Sequence, residues 1–193
     1  GFVSSAAYNI LPDFLLHFRH NNPDINLELH ELTTDEQSRW LNSGRIDVGF
    51  VRPPVDKDIY NSKIVFQESL IIALPENHPL ANQEKVSLSS LINESFILFP
   101  RFLAPGLYDL IISFCQQFGF SPKLAQEAIQ MQTIVSLVAA QIGVAIVPES
   151  LHNLQRTGVV YKYFVEEPPQ VSIAMIWRKN DVSAVLDRFL EVF

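Results

Sequence analysis

A chain of 193 residues, 48% hydrophobic and 18% charged, can build one large globular unit or two smaller ones and is too apolar to stay disordered. Its net charge of −7, with no Lys/Arg cluster along any expected face, argues against direct contact with a nucleic-acid backbone. The single cysteine, Cys115, excludes an internal disulfide and fits a reducing compartment, and no apolar run reaches membrane-spanning length.

Gly1-Phe2-Val3 reads as the end of a strand. The N-terminal stretch lacks a signal peptide's charged start and apolar run, and an upstream segment is expected. Ser4-Ser5 then turn into a helix. Ile10 or Leu11, Phe14, Leu15 and Phe18 recur at helical spacing until Asn21-Asn22-Pro23, and Pro12 is tolerable in an early turn. Ile25–Glu31 alternates as a strand, with Ile25, Leu27 and Leu29 on one face. Thr33-x-x-Glu36 and, one residue later, Thr34-x-x-Gln37 both fit capping boxes for a helix carrying Trp40 and Leu41. Gly44 ends that helix, being able to take a left-handed backbone without steric cost. Ile46, Val48, Phe50 and Val51 form the apolar run of a buried strand, Arg52 leaves its C-terminal end, and Pro53-Pro54 stop it. Strand, helix, strand, helix, strand is the order of a sheet wound with helices.

Ile64–Leu74 is a longer extended run interrupted by Gln67-Glu68-Ser69, and Pro75–Pro79 is turn chemistry. A second set follows, with a short helix over Ser87–Leu91, a strand over Phe96–Phe99 and a helix over Leu107–Phe118. Lys123–Ala128 (strand), Gln132–Ile142 (helix) and Val144–Val147 (strand, stopped by Pro148) continue it. Val159–Val165 is extended and Glu166-Glu167-Pro168-Pro169 breaks the pattern. Val171–Trp177 makes a last strand and Val182–Phe193 a final amphipathic helix. Two α/β halves with a late return suggest two lobes joined by two crossings, near Leu70–Leu74 and Pro168–Val171. No internal repeat is visible.

Ligands of open α/β sheets bind beyond the carboxyl ends of strands, which puts the Arg52 guanidinium where an anion would arrive; a surface ion pair is the alternative. Ser4-Ser5 and Thr33-Thr34 lie at helix starts, where free N–H groups and hydroxyls hold carboxylates or simply cap the helix. Phe99-Pro100-Arg101-Phe102 ends a strand of the second half, and Met131-Gln132-Thr133 opens a helix; connector and core roles compete there. Every polar candidate thus sits at a strand end or a helix start, which suits a clamp on a small anion. Catalytic signals are weak. His17 and His20 lack further ligands at zinc-site spacing, and no nucleophile elbow, phosphate-binding glycine loop or dinucleotide fingerprint is present. Cys115 falls on an apolar helix face with Leu110, Ile111, Phe114 and Phe118, a core position. Neither a catalytic residue nor a metal site or cofactor is expected.

These residues carry a family resemblance. Gly44-Arg45-Ile46-Asp47-Val48-Gly49-Phe50 resembles the G-x-x-D-x-G strand of the effector-binding domain of LysR-type transcriptional regulators. Leu74–Leu80 is similar to that family's HPL turn. Val138-Ala139-Ala140-Gln141-Ile142-Gly143-Val144-Ala145-Ile146-Val147-Pro148 resembles its V-A-x-G-x-G-I-x-x-x-P segment, with Gln141 in place of a glycine. The resemblance implies an α/β fold of two Rossmann-like lobes joined by two crossover strands, like periplasmic binding proteins, with a small inducer in the inter-lobe cleft. Lobe I is expected over 1–70 plus 171–193 and lobe II over 71–170. It also implies a DNA-binding winged helix-turn-helix and linker helix absent from this chain, so that DNA is met only through the missing N-terminal domain.

Ser5, Thr34 and Arg52 look like the aromatic-catabolism branch, whose matching positions hold carboxylates such as benzoate or muconate; Ser4 departs from an expected glycine. The implied effector-binding set is Ser4, Ser5, Thr33, Thr34, Phe50 and Arg52 in the first lobe. In the second it is Pro100, Phe102, Met131, Gln132, Thr133 and Ile146. Expected with it are a cytoplasmic location, no membrane partner, and a homo-oligomer: a dimer of this domain, antiparallel through the first helix and a neighbouring strand, and a tetramer at full length. A solute-binding protein of a transport system is the alternative.

Overall fold

A computed structural model describes residues 1–192. Its strands are β1 (Val48–Val51), β2 (Tyr60–Glu68), β3 (Leu70–Pro75), β4 (Lys85–Val86), β5 (Ser95–Leu98), β6 (Lys123–Glu127), β7 (Ala145–Pro148), β8 (Val159–Phe164) and β9 (Val171–Arg178). The α-helices are α1 (Ile10–Asn21), α2 (Thr34–Asn42), α3 (Pro105–Gln117), α4 (Met131–Ala139) and α5 (Ala184–Leu190). The chain divides into two compact units, residues 1–67 with 172 onward, and residues 68–171. It passes between them at Gln67–Glu68 and again at Val171–Ser172.

In the first unit the strand order is β1-β9-β2, with β1 antiparallel to β9. Phe2 continues the sheet beyond β1, bridging in parallel to Phe50 on one side and to Glu31 on the other. Alternate residues of one strand feed opposite faces. Phe50, Ile173 and Met175 pack with Leu11, Phe14 and Phe18 of α1, and Phe189 of α5 closes on Phe14 with ring centres 4.6 Å apart. Val51, Ala174 and Ile176 pack with Leu41 of α2 on the other face. Burial on both faces explains why these strands read as continuous apolar runs.

The expected strand over Ile25–Glu31 is corrected to an extended segment that pairs only at Glu31. Ile25 and Leu27 do pack onto the α1 core, but Leu29 is exposed, and the segment joins the sheet only at its last residues. Ser4-Ser5 open a short 3-10 helix, Ser4–Tyr8, and α1 follows from Ile10. The final helix ends at Leu190; Phe193, to which it was expected to run, lies outside the described residues.

In the second unit the order β4-β8-β3-β7 joins the parallel pair β5-β6 through a bridge from Phe96 to Val144. Every residue of β3 is buried. Counting only the mutually parallel segments, both units run second, first, third and then an antiparallel strand: Glu31, Phe2, β1 and β9 in the first, β6, β5, β7 and β3 in the second. That echo leaves no trace in the sequence.

The three sequence motifs have physical causes. Gly44 has φ +69°, and Asp47 pairs with Arg178 of β9 at 3.1 Å. A Cβ on Gly49 would lie 2.8 Å from the Gln37 side-chain oxygen. In the HPL turn, His78 Nδ1 accepts the Leu80 N–H at 3.2 Å and caps the helical turn Pro79–Asn82. In the third motif, a Cβ on Gly143 would lie 2.4 Å from the Ser95 carbonyl oxygen, so strands β5 and β7 could not approach there. Gln141 holds φ +61°, which costs an L-residue about 1 kcal/mol. Gln141→Gly is therefore expected to stabilise the chain by about 0.5–1 kcal/mol in urea unfolding, where glycine at an ordinary helix position would destabilise it.

Candidate functional site

Each unit presents its own set of candidate side chains. In the first, Thr33 is the N-cap of α2. Its hydroxyl accepts the Glu36 N–H at 3.3 Å and donates to Glu36 Oε2 at 2.9 Å, while its own N–H donates to the same oxygen at 2.9 Å. Thr33 is thus committed to the helix. The second expected box does not form, because Gln37 is fully buried and turns inward. Its Nε2 donates to the carbonyls of Leu32 at 3.0 Å and Phe50 at 3.1 Å, fixing the approach to α2 against the end of β1.

Thr34 is half-buried in the first turn of α2, and its Oγ1 accepts the Arg52 N–H at 3.2 Å, which leaves the hydroxyl proton to donate. Arg52 is buried rather than loop-exposed, 9% accessible, and its Nη1 donates to the Ser172 carbonyl at 3.4 Å. Its backbone thus meets Thr34 while its guanidinium meets the Ser172 backbone. Ser5 is 2% exposed and Ser4 half-buried, on a 3-10 turn of five residues whose dipole is far weaker than an α-helix's. Phe50 belongs to the α1 core, its ring 5.8 Å from that of Phe14. A cavity of about 380 Å³ in this unit, lined by Phe2, Phe18 and Phe189 with Asn26, His30 and Arg45 among others, includes only Phe50 of the six first-unit candidates.

In the second unit a groove of about 630 Å³ gathers Pro100, Phe102 and Thr133 with Gln126–Ile129, Leu137 and Ile142. Phe102 is 79% exposed beside it. Met131 and Ile146 are buried core residues, the latter opposite Ile72 on β3. Gln132 and Thr133 stand exposed on the first turn of α4, a helix start that no side chain caps. Unlike α2, whose cap is complete, α4 leaves N–H groups to be satisfied from outside the chain.

Sequence reasoning missed Gln37, Gln67, Ser172 and Arg178 as organising polar residues. For Gln37 the only signal was its capping-box spacing; for the others there was none. Cys115 is fully buried, and burial pushes its thiol up to about 12, which keeps it unreactive. Among the described residues no three His, Cys, Asp or Glu side chains converge as metal ligands, and no helix is long and apolar enough to cross a membrane.

The Thr33 N–H and hydroxyl hold the Glu36 carboxyl below its ordinary value. A depressed carboxylate contributes stability that is present above its unfolded pKa and lost as pH falls through the folded one. Glu36→Gln is thus expected to be less stable than the parent at pH 7 and indistinguishable from it well below pH 4.5, the ordinary value, as read by urea midpoints.

Two wound units linked by two chain passages define the class of effector-binding, periplasmic-binding-protein-like domains. The chain belongs to the LysR substrate binding domain family, which it matches over residues 1–193. It is 31% identical over 192 residues to the HTH-type transcriptional regulator AlsR of Bacillus subtilis, covering 100% of this chain and 64% of that protein. It is 33% identical over 190 residues to CatR of Pseudomonas putida, covering 98% and 65%. The chain thus spans slightly under two thirds of these relatives. Among solved structures, the BenM effector binding domain with its effector benzoate superposes with a TM-score of 0.87 at 27% identity, over 100% of this chain and 87% of that one. The family decides against the transport alternative.

Proposed function

We propose that this domain senses a small carboxylate metabolite for a transcription regulator and has no catalytic role. In the second unit the α4 start at Met131–Thr133 offers its N–H groups to a carboxylate; in the first unit Ser5, Thr34 and Arg52 are the residues suited to one. The observation that carries this reading is the uncapped start of α4, where exposed Gln132 and Thr133 flank free N–H groups. The likeness to CatR and to a benzoate-binding domain supports an aromatic or unsaturated acid as the effector.

Binding signals by favouring one conformation over another. The response passes to DNA through the part of the relatives that this chain does not span, in a cytoplasmic oligomer, a tetramer at full length. Copies of this domain pair through α1 and the Ile25–Leu29 segment. Leu16, 73% exposed, and Leu29, 51% exposed, edge a groove there whose lining mixes Leu15, Ile25 and Leu27 with Arg19, His20 and Asn26; exposed apolar side chains rimmed by polar ones are characteristic of a protein interface.

A thermal-shift screen against mono- and dicarboxylates, including benzoate and muconate, tests the function. A ligand at 100 times its Kd adds about 2.7 kcal/mol and raises the melting temperature by roughly 5–10 °C. A panel in which no mono- or dicarboxylate shifts the transition, while a sugar or a cationic metabolite without a carboxyl group does, overturns the assignment.

A further inference from the structure

A line of hydrogen bonds runs through the first unit from the α2 start to the points where the chain leaves and re-enters it. Thr34 Oγ1 accepts the Arg52 N–H at 3.2 Å, Arg52 Nη1 donates to the Ser172 carbonyl at 3.4 Å, and Gln67 Nε2 donates to Ser172 Oγ at 3.3 Å. Gln67 is the last residue of this unit on the way out, and Ser172 the first on the return. The second unit carries the reciprocal arrangement. Gln170 Nε2 donates to Ser69 Oγ at 2.8 Å, and the buried Glu68 accepts the Ser150 N–H at 2.7 Å. Both passages therefore read Gln-x-Ser, and each glutamine holds the serine of the other.

The two sides differ in length. Bonds of 2.7–2.8 Å are short and hold their groups firmly, whereas 3.2–3.4 Å is the long end of the range, where a displacement of a few tenths of an ångström makes or breaks a bond. The longer set is the one joined to Thr34.

We propose that Gln67 and Ser172 are positioning residues that couple the α2 start, through Arg52, to the two chain passages; this rests on the reading that Thr34 and Arg52 serve the effector. A carboxylate that takes the Thr34 hydroxyl proton as a hydrogen bond reorients that hydroxyl against the Arg52 N–H. Arg52 then shifts on the Ser172 carbonyl, and the passages respond. Coupling of this kind is reciprocal, so loosening the passage must also loosen Arg52.

Amide hydrogen exchange on the ligand-free chain tests this. Thr34→Val keeps the side-chain shape and removes the acceptor. It is expected to speed exchange at least threefold at Gln67–Glu68 and Ser172–Ile173 while leaving Ser95–Leu98 unchanged. Acceleration confined to Thr34 and Arg52 overturns the coupling. Should Thr34→Val accelerate exchange everywhere, Gln67→Ala decides, because that side chain is exposed and its loss leaves the core intact. It must accelerate Arg52 and Ser172 at least threefold, and an unchanged Arg52 amide overturns the proposal. No ligand enters the measurement, so a failed carboxylate screen removes the effector assignment without touching this result.

Discussion

Gln37→Glu is expected to destabilise the chain by about 3–4 kcal/mol at pH 7, lowering the melting temperature by roughly 10 °C. The substitution is isosteric, so packing is preserved and only the chemistry changes. The Gln37 amide nitrogen sits between two carbonyl oxygens, of Leu32 and Phe50, in a fully buried position. A carboxylate there places oxygen against oxygen and buries a charge, and the Leu32 carbonyl loses its Gln37 donor. The Phe50 carbonyl is partly protected, since it also accepts the Val3 N–H at 3.0 Å. Protonation restores one donor, so the pKa of the new carboxyl rises on folding. A raised folded pKa means that the stability is present below the unfolded value and lost as pH climbs through the folded one. The deficit should therefore shrink towards pH 4, and urea unfolding across pH 4–7 reads both the size and the slope. A deficit below 1 kcal/mol at pH 7 would mean that Gln37 does not hold the α2 approach to β1.

Arg178→Ala is expected to cost about 3 kcal/mol, with Arg178→Lys recovering only part of it. Two of the bonds Arg178 makes go to backbone carbonyls, Leu41 at 2.9 Å and Ile46 at 2.7 Å, and two to the carboxylates of Asp47 and Asp181. Asp47 is 79% exposed, and an ion pair so open contributes little. The carbonyls decide the magnitude. One ends α2 and the other opens the path into β1, and both lose a charged donor when the guanidinium goes. Lysine keeps the charge but lacks the planar fork that reaches both. Asp47→Asn should accordingly cost under 1 kcal/mol, and a larger loss than for Arg178→Ala would contradict the account.

The wound α/β fold was legible because its central strands are buried on both faces and therefore read as apolar runs, as Val48–Val51 and Leu70–Leu74 do. Ile25–Glu31 misled for the converse reason. Its alternation is real and Ile25 and Leu27 face the core, but pairing depends on a neighbouring strand that periodicity does not reveal. The two threonines show a similar limit. Adjacent hydroxyls at a helix start look equivalent in sequence, yet Thr33 is consumed by Glu36 while Thr34 keeps a proton to donate. Phe50, Met131 and Ile146 are core residues: β1 and β7 are buried on both faces, and Met131 falls on the buried side of α4. Arg52 reads in sequence as placed for an anion or for a surface ion pair; in the fold it is buried with its Nη1 on the Ser172 carbonyl, 120 residues away in the chain, and no local pattern encodes that.

The most direct test of the central claim is the affinity of a carboxylate identified in the screen, measured by titration calorimetry for the parent, Thr34→Val and Thr133→Val. A hydrogen bond to a charged group contributes about 1.5–3 kcal/mol, so a variant that loses such a bond should bind roughly 10–100-fold more weakly. Thr133 is exposed, so the Thr133→Val melting temperature should stay that of the parent. Both variants binding within twofold of the parent would contradict the proposal that a helix start, α2 in the first unit or α4 in the second, receives the effector's carboxylate.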